Sequence, residues 1–264
     1  MMCGHIIFIY ILGDVMKFKN LFAITLSAVL VSQAVAGNRT VRVGTEPSFA
    51  PFEFMDENSK ELSGFDIDII NAIGKAGGFT VEMHTMPFDG LIPAILTGSL
   101  DAGISGFTIT DERKKRVAFS EPYCAAGLGV IVRKELEKEI KSVDDLKGHK
   151  ICGQIGTSGA FYASSQVKDA TVTQFNSAPE ALLELDKKGC DAHINDRPVL
   201  EYYMAKTNNK NLVLLPDLIT ADQYGIVINK NDQELIDMIN KGFSQIKSDG
   251  TYKEIYQKWF GSSK

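Results

Sequence analysis

Apolar and polar positions along the chain change between two periods, one typical of strands and the other of helices. Residues 81–86 alternate with a period of two, which predicts a strand, whereas residues 66–73 carry apolar side chains at helical spacing. The same change recurs between 150–154, a predicted strand, and 179–188, a predicted helix that Ser177 caps. This alternation predicts an α/β protein whose sheets are mainly parallel and covered by helices on both faces.

Cap signals place several further helix starts. Thr110 is expected to cap a polar helix, Asp196 to open another with Pro198 in its first turn, and residues 251–260 to form the last helix. No low-complexity linker or short repeat interrupts the pattern, so two domains would be joined by strands and not by a flexible tether. Ligands of such folds bind beyond the carboxyl ends of strands, often against helix N-termini.

Composition and charge narrow the class of protein. The chain has 264 residues, of which 44% are hydrophobic and 23% charged, a balance that belongs to a folded globular protein of one large domain or two modest ones. Its net charge of −5 argues against a general nucleic-acid binder. The apolar segments that could insert into a membrane lie before residue 37. An integral membrane protein is therefore excluded unless this N-terminal segment is retained in the mature protein.

The N-terminal segment has the order of an export signal. Basic residues Lys17 and Lys19 precede an apolar core over 21–31, and a small-x-small cleavage site ends at Ala36. We therefore expect cleavage after Ala36 and a periplasmic protein. The alternative is an N-terminal anchor helix, which is disfavoured because the apolar core is short for a membrane-spanning helix. Residues 1–15 are interpreted as an over-extended start, because the methionine that follows them opens a complete signal on its own.

Cysteines and histidines give limited information about chemistry. Export implies an oxidising compartment, and three cysteines remain after cleavage, so at most one internal disulfide forms. Cys152 and Cys190 each lie in a predicted strand of the same region, which allows either a disulfide between them or two buried thiols. No cysteine or histidine spacing matches a metal site, and no hydrolase or phosphate-loop motif is present. The sequence therefore predicts neither a metal, nor a cofactor, nor an enzyme.

Six runs follow one another along the whole mature chain: 49–54, 64–69, 90–96, 101–113, 119–123 and 250–261. Together they resemble the bacterial solute-binding proteins for polar amino acids of ABC transporters. Within that family the chain is most similar to the glutamine-binding members. The resemblance implies two α/β lobes, joined by two hinge strands, that close on one L-amino acid.

The resemblance also implies a domain plan and partners. Lobe 1 would be discontinuous, comprising 37–123 and 225–264, and lobe 2 would comprise 128–219. The hinge strands are expected near 123–127 and 220–224. The implied partner is the permease of an inner-membrane ABC transporter, and the protein is expected to act as a monomer.

The family's ligand-binding positions fall on residues with suitable chemistry. Arg113 matches the carboxylate-binding position, helped by N–H groups near Thr108; spacing alone would favour an exposed arginine in a run of charges. Gly106 lets its backbone approach the ligand ammonium, although an ordinary turn glycine has the same pattern. Asp196 matches the ammonium-binding carboxylate, and it could equally cap the helix that contains Pro198.

Five further positions would surround the rest of the ligand. Phe49 and Phe88 match the aromatic residues that sandwich the ligand side chain, although their pattern alone favours the core. Glu46 matches an acid that faces the distal end of that side chain. Thr157 and Ser158 lie in the loop before a predicted helix and would meet the ligand carboxylate or backbone on closure.

The sequence departs from the glutamine-binding members at positions that affect ligand choice. Gln154, itself a predicted ligand contact, replaces a lysine; Ser158 replaces a glycine; Asn195 replaces a histidine. Glu46 without a neighbouring lysine makes the pocket more acidic. The predicted ligand is therefore either a cationic amino acid, such as arginine, lysine or histidine, or a neutral polar one. Anionic amino acids are disfavoured.

Two other function classes remain open at this point. Exported cyclohexadienyl dehydratases share the fold but place an acid in the loop after the Gly-Thr of the second lobe; residues 156–161 contain none. A structural or adhesive surface protein would need an exposed apolar patch.

Overall fold

The computed structural model describes residues 38–261. The predictions of an export signal, of cleavage after Ala36 and of an over-extended start over residues 1–15 concern positions outside the described residues. Within 38–261, no helix combines the length and the apolar character that crossing a membrane requires.

The described residues form an α/β structure, as the alternating periods predict. The strands, numbered in chain order, are β1 Arg39–Thr45, β2 Ser48–Phe49, β3 Glu53–Met55, β4 Leu62–Ser63, β5 Phe79–Thr85, β6 Ala102–Gly103, β7 Ala118–Phe119, β8 Cys124–Ala126, β9 Leu128–Arg133, β10 Lys150–Gln154, β11 Thr171–Phe175, β12 Ala192–Asp196, β13 Leu212–Leu214, β14 Asp222–Tyr224 and β15 Val227–Ile228. The helices are α1 Phe65–Gly77, α2 Phe88–Leu96, α3 Asp111–Arg116, α4 Ser158–Gln166, α5 Ala178–Asp186, α6 Arg197–Thr207, α7 Gln233–Ser248 and α8 Thr251–Phe260. Two short 3-10 helices, Lys134–Leu136 and Val143–Leu146, complete the description.

Two five-stranded sheets form the centres of two lobes. The first has the order β5-β1-β6-β15-β7, and the second has the order β11-β10-β12-β9-β13. In the first sheet β1 pairs in parallel with β5 and β6, and β15 runs antiparallel to both of its neighbours, β6 and β7. In the second, β10 pairs in parallel with β11 and β12, and β9 runs antiparallel to both of its neighbours. Both sheets are therefore mixed but mainly parallel.

The chain passes between the two sheets twice. Strands β8 and β14 pair antiparallel with each other, and they join neither five-stranded sheet. They fall within the ranges expected for hinge strands, and β15 then returns the chain to the first sheet. The exact bounds of the lobes stay a prediction.

Helix α7 packs closely against α1 in the first lobe. Asp232 caps α7 by accepting a hydrogen bond from the N–H of Leu235, and the buried face runs through Leu235, Ile239, Gly242, Phe243 and Ile246. A Cβ on Gly242 would lie 2.4 Å from the carbonyl oxygen of Ile73 in α1, so only glycine permits this approach.

A disulfide joins Cys152 in β10 to Cys190, which precedes β12, with the Cα atoms 5.9 Å apart. Both cysteines are buried within the second lobe. Among the described cysteines, Cys124 in β8 is the free thiol, and burial raises its pKa to about 12.

Candidate functional site

One pocket gathers all ten predicted ligand-contacting residues. Its lining comprises Glu46, Phe49, Glu53, Phe88, Ser105, Gly106, Thr108 and Arg113 from the first lobe, and Gln154, Thr157, Ser158 and Asp196 from the second. Several of these residues lie at or just beyond the carboxyl ends of β1, β6, β10 and β12, and others at the starts of α2 and α4. This is where ligands bind in α/β folds.

Arg113 connects the two lobes at one wall of the pocket. Thr110 caps α3, as predicted, by accepting from the N–H of Arg113 at 3.2 Å. The guanidinium donates to the carbonyl of Thr108 at 2.9 Å and, across the cleft, to the carbonyl of Gly156 at 3.0 Å. Burial lowers the pKa of Arg113 to about 10, so the group stays cationic at neutral pH. It is therefore a fixed positive charge that can bind a carboxylate.

Aromatic rings surround the same guanidinium. Its central carbon lies 5.5 Å from the ring centres of both Phe88 and Phe107. Phe88 stacks on Phe107 with the centres 4.7 Å apart, and it also lines the pocket. Phe49 forms another part of the wall, and both Phe49 and Phe88 are less than a tenth exposed. Both rings therefore pack in the core and also line the pocket.

Position 106 requires glycine for two reasons, the left-handed backbone conformation and the lack of space for a side chain. Its φ of +54° lies in the left-handed region, and a Cβ would come within 2.8 Å of the Phe49 ring. Its N–H donates to Asp66 at 2.9 Å. The turn that presents Gly106 to the pocket is therefore fixed by a buried carboxylate.

Asp196 ends β12 at the N-cap position of α6, but its carboxylate does not cap that helix. The side chain is 3% exposed, and its Oδ1 atom has no hydrogen-bond partner among residues 38–261. Burial raises the pKa of Asp196 to about 7, against the positive charge of Arg113, which lowers it. An unpartnered buried carboxylate oxygen on the pocket wall is suited to a cationic ligand group.

Glu46 and Gln154 meet across the pocket from opposite lobes. The Oε1 atom of Glu46 accepts from the Ser48 hydroxyl at 2.6 Å, and Oε2 lies 3.5 Å from the amide nitrogen of Gln154. That amide also donates to the carbonyl of Asn176 at 3.1 Å. Burial raises the pKa of Glu46, and the hydrogen bond from Ser48 opposes this effect.

The start of α4 completes the second-lobe wall. Thr157 caps α4 by accepting from the N–H of Ala160 at 3.2 Å, and its hydroxyl donates to the carbonyl of Gln154 at 2.8 Å. Because that side chain is engaged locally, Thr157 offers chiefly its backbone to a ligand. The Ser158 hydroxyl lies 3.1 Å from that of Thr108, which adds a second contact between the lobes.

Two pocket residues, Glu53 and Ser105, are absent from the predicted set. The Ser105 hydroxyl donates to Glu53 at 2.7 Å and accepts from the N–H of Glu46 at 3.1 Å. The available signal was the single acid in the otherwise apolar run 51–54, since an acid there indicates a buried carboxyl. No group of at least three histidine, cysteine or acidic side chains within 38–261 is arranged to hold a metal ion.

Comparison with known proteins agrees with this geometry. Residues 41–262 match the family described as bacterial extracellular solute-binding proteins, family 3. A probable histidine-binding protein of Neisseria gonorrhoeae is 35% identical over 227 residues, covering 84% of this chain and 83% of that protein. An arginine-binding periplasmic protein of Mannheimia haemolytica is 34% identical over 247 residues, covering 90% and 98%.

A solved structure shows the same two-lobed fold. An ancestral arginine-binding protein bound to arginine superposes with a TM-score of 0.81 at 41% identity, covering 85% of this chain and 100% of that one. From the match over 41–262 and these relatives, the chain belongs to the bacterial extracellular solute-binding proteins of family 3.

Proposed function

We propose that the chain is the substrate-binding component of an ABC transporter and that it binds a cationic L-amino acid, arginine first among the candidates, between its two lobes. The observation that carries the proposal is the set of charges on one pocket: cationic Arg113 and the two acids Asp196 and Glu46. Arg113 binds the ligand carboxylate, Asp196 the ammonium and Glu46 the side-chain cation. The relatives named for histidine and arginine support this assignment.

The contacts between the lobes support a mechanism of closure on the ligand. Arg113 and Glu46 belong to the first lobe, and each reaches a second-lobe group, Gly156 or Gln154. A ligand that touches both lobes stabilises the closed state by its differential contacts with the closed and open states. Closure presents one surface to the permease of the transporter.

The proposal includes a domain plan and a location. Lobe 1 comprises 37–123 and 225–264, lobe 2 comprises 128–219, and the hinge strands lie near 123–127 and 220–224. The mature chain is a periplasmic monomer released by cleavage after Ala36. Intact mass and N-terminal sequencing of exported protein test the cleavage; retention of residues 1–36 in a membrane pellet would contradict it.

Calorimetry on variants of the mature chain, residues 37–264, tests the site. A thermal-shift screen with the twenty amino acids first identifies the ligand. Arg113→Ala and Asp196→Ala should then each weaken its binding by about 30-fold or more, because truncating one partner of a buried charge pair costs roughly 2–5 kcal/mol. Arg116→Ala is the matched control, since Arg116 carries the same charge on the same helix but is exposed.

Three results would contradict the proposal. One is undiminished binding in both Arg113→Ala and Asp196→Ala. Another is an equal loss in the Arg116→Ala control, which would mean that overall charge and not the site is responsible. The third is steady conversion of the bound compound to product, which would favour the dehydratase alternative.

A further inference from the structure

Two carboxyl groups contact each other at the pocket: that of Glu53, which is part of the lining, and that of Asp66, which lies behind it. Both residues have no exposed surface. Glu53 begins β3, and Asp66 lies in the first turn of α1. The N–H of Asp66 donates to the carbonyl of Phe52 at 2.9 Å, which holds the two segments side by side.

The hydrogen bonds of the two carboxyl groups are unequal. Asp66 Oδ2 accepts from the N–H of Gly106 at 2.9 Å and from the Tyr123 hydroxyl at 2.8 Å. Glu53 Oε1 accepts only from the Ser105 hydroxyl, at 2.7 Å. The remaining oxygens, Asp66 Oδ1 and Glu53 Oε2, have no donor among residues 38–261. These two buried acids are adjacent, and each has one carboxyl oxygen without a hydrogen-bond donor. A proton shared between them would supply the missing hydrogen bond and remove one of the two negative charges.

Within the described part of the chain, no basic residue compensates the charge of this pair. No salt bridge within 38–261 involves Glu53 or Asp66, and the titratable groups that face them are Glu46, Tyr123, Cys124 and Tyr224. Burial raises the pKa of both tyrosines well above the usual value and that of Cys124 to about 12, so these three groups are neutral near pH 7. Two ionised carboxylates here would repel each other in a site with a low dielectric constant.

The surroundings decide which carboxyl keeps the proton. Burial raises the pKa of Glu53 well above its usual value, and the charge of Asp66 adds to this effect. Burial raises the pKa of Asp66 to about 6, while donation from Gly106 and Tyr123 stabilises its ionised form. The contact between the two carboxyl groups also acts in opposite directions, raising the pKa of Glu53 and lowering that of Asp66.

We propose that Glu53 and Asp66 hold one proton between them at neutral pH, with neutral Glu53 donating it to ionised Asp66. Glu53 is then a positioning residue. It orients Ser105 directly, and through Asp66 it holds the turn that presents Gly106 to the pocket. Asp66 also accepts a hydrogen bond from the hydroxyl of Tyr123, which directly precedes hinge strand β8. The Glu53–Asp66 pair therefore connects the pocket wall with the first hinge strand.

A neutral Glu53 also defines the charge that the pocket offers. This step rests on the proposed function. With Glu53 protonated, the pocket carries the cation Arg113 and the anions Asp196 and Glu46, three charges that match the carboxylate, ammonium and side-chain cation of an arginine. Ionised Glu53 would add a fourth, unmatched charge beside Glu46.

The first experiment needs no ligand. A pH titration of the glutamate side-chain carboxyl groups by 13C NMR, on residues 37–264, should show one glutamate that is still protonated at about pH 7, and Glu53→Gln should remove that signal. Glu61→Gln is the control, because Glu61 is an exposed glutamate and its loss should leave the signal in place. A protonated glutamate signal that persists in Glu53→Gln, or ionisation of every glutamate well below neutral pH, would overturn the proposal.

The second experiment measures arginine binding by calorimetry. Glu53→Gln keeps a neutral donor and should bind arginine within about threefold of the parent, whereas Glu53→Ala should weaken binding by about tenfold or more, because Ser105 and Asp66 lose a buried partner. Equal, large losses in both variants would show that the ligand requires the charge of Glu53. If the parent binds no cationic amino acid, the proposed function fails, and the NMR titration still decides the shared proton.

Discussion

Lowering the pH is expected to weaken amino-acid binding, because Asp196 must be ionised to hold the ligand ammonium. Its carboxyl is 3% exposed, and burial raises its pKa to about 7. Above that pH the acid is an anion and binds the ammonium; below it the acid is protonated, and the favourable charge pair is lost. The effect therefore falls within the range where the ligand's own ammonium and carboxylate keep their charges.

The size of the effect follows from the fraction of ionised Asp196. With a pKa of about 7, the ionised fraction is about ten in eleven at pH 8 and about one in eleven at pH 6. The apparent dissociation constant scales inversely with the binding-competent fraction, so binding should weaken about tenfold between these two pH values, or about 1.4 kcal/mol.

Calorimetry across this pH range, on the parent and on Asp196→Asn, is the test. The variant cannot ionise at this position. Its dissociation constant should therefore be larger than that of the parent at the upper pH, and it should be nearly constant across the range. The variant also separates Asp196 from Glu46 and Asp66, whose pKa values are raised by burial too. A parent with a flat profile, or a variant that keeps the tenfold slope, would refute the reasoning.

Three further outcomes are expected. Glu46→Gln should weaken arginine binding at least tenfold more than glutamine binding, or roughly 1.4 kcal/mol, since only the cationic side chain loses a charge partner; equal losses would show that Glu46 does not distinguish them. Thiol titration of the unfolded mature chain should find the single thiol of Cys124 before reduction and three thiols after it, whereas three at the outset would exclude the Cys152–Cys190 disulfide. Because burial raises the pKa of Asp66 to about 6, its contribution to the free energy of unfolding is favourable in acid and is lost as the pH rises through that value. Urea unfolding should therefore show that the parent loses on the order of 2–3 kcal/mol, relative to Asp66→Asn, between about pH 4 and pH 7.

Local signals explain why much of the fold could be predicted from the sequence. Thr110 and Ser177 cap the helices expected of them, and the last helix spans the predicted residues 251–260. Cap hydrogen bonds join residues three apart, so the sequence contains both partners in one short window. The same reasoning was incomplete at Asp196, which occupies the N-cap position while its carboxylate lines the pocket.

Interactions between segments that are distant in sequence could not be predicted from short sequence windows. Glu53 and Asp66 are thirteen positions apart, and Asp66 meets Gly106 only because α1 packs behind the turn after β6. The bond from Arg113 to Gly156 depends on how the two lobes meet. The family resemblance supplied the ten pocket positions, but it could not give the protonation of Glu53, which depends on the number of donors around each carboxyl in three dimensions.

The position of β15 within the first sheet has a consequence for the order in which the protein folds. This strand lies between β6 and β7, yet it is the last in sequence of the fifteen strands within residues 38–261. The second sheet is continuous in sequence from β9 to β13, so it can assemble once residue 214 is available. The first sheet keeps a gap between β6 and its edge strand β7 until Val227 and Ile228 arrive, because each of these two strands pairs with β15 on the side that faces the other. A chain that crosses a membrane N-terminus first would therefore complete its second lobe before its first, and pulse-labelled hydrogen exchange during refolding would reveal whether free chains keep that order.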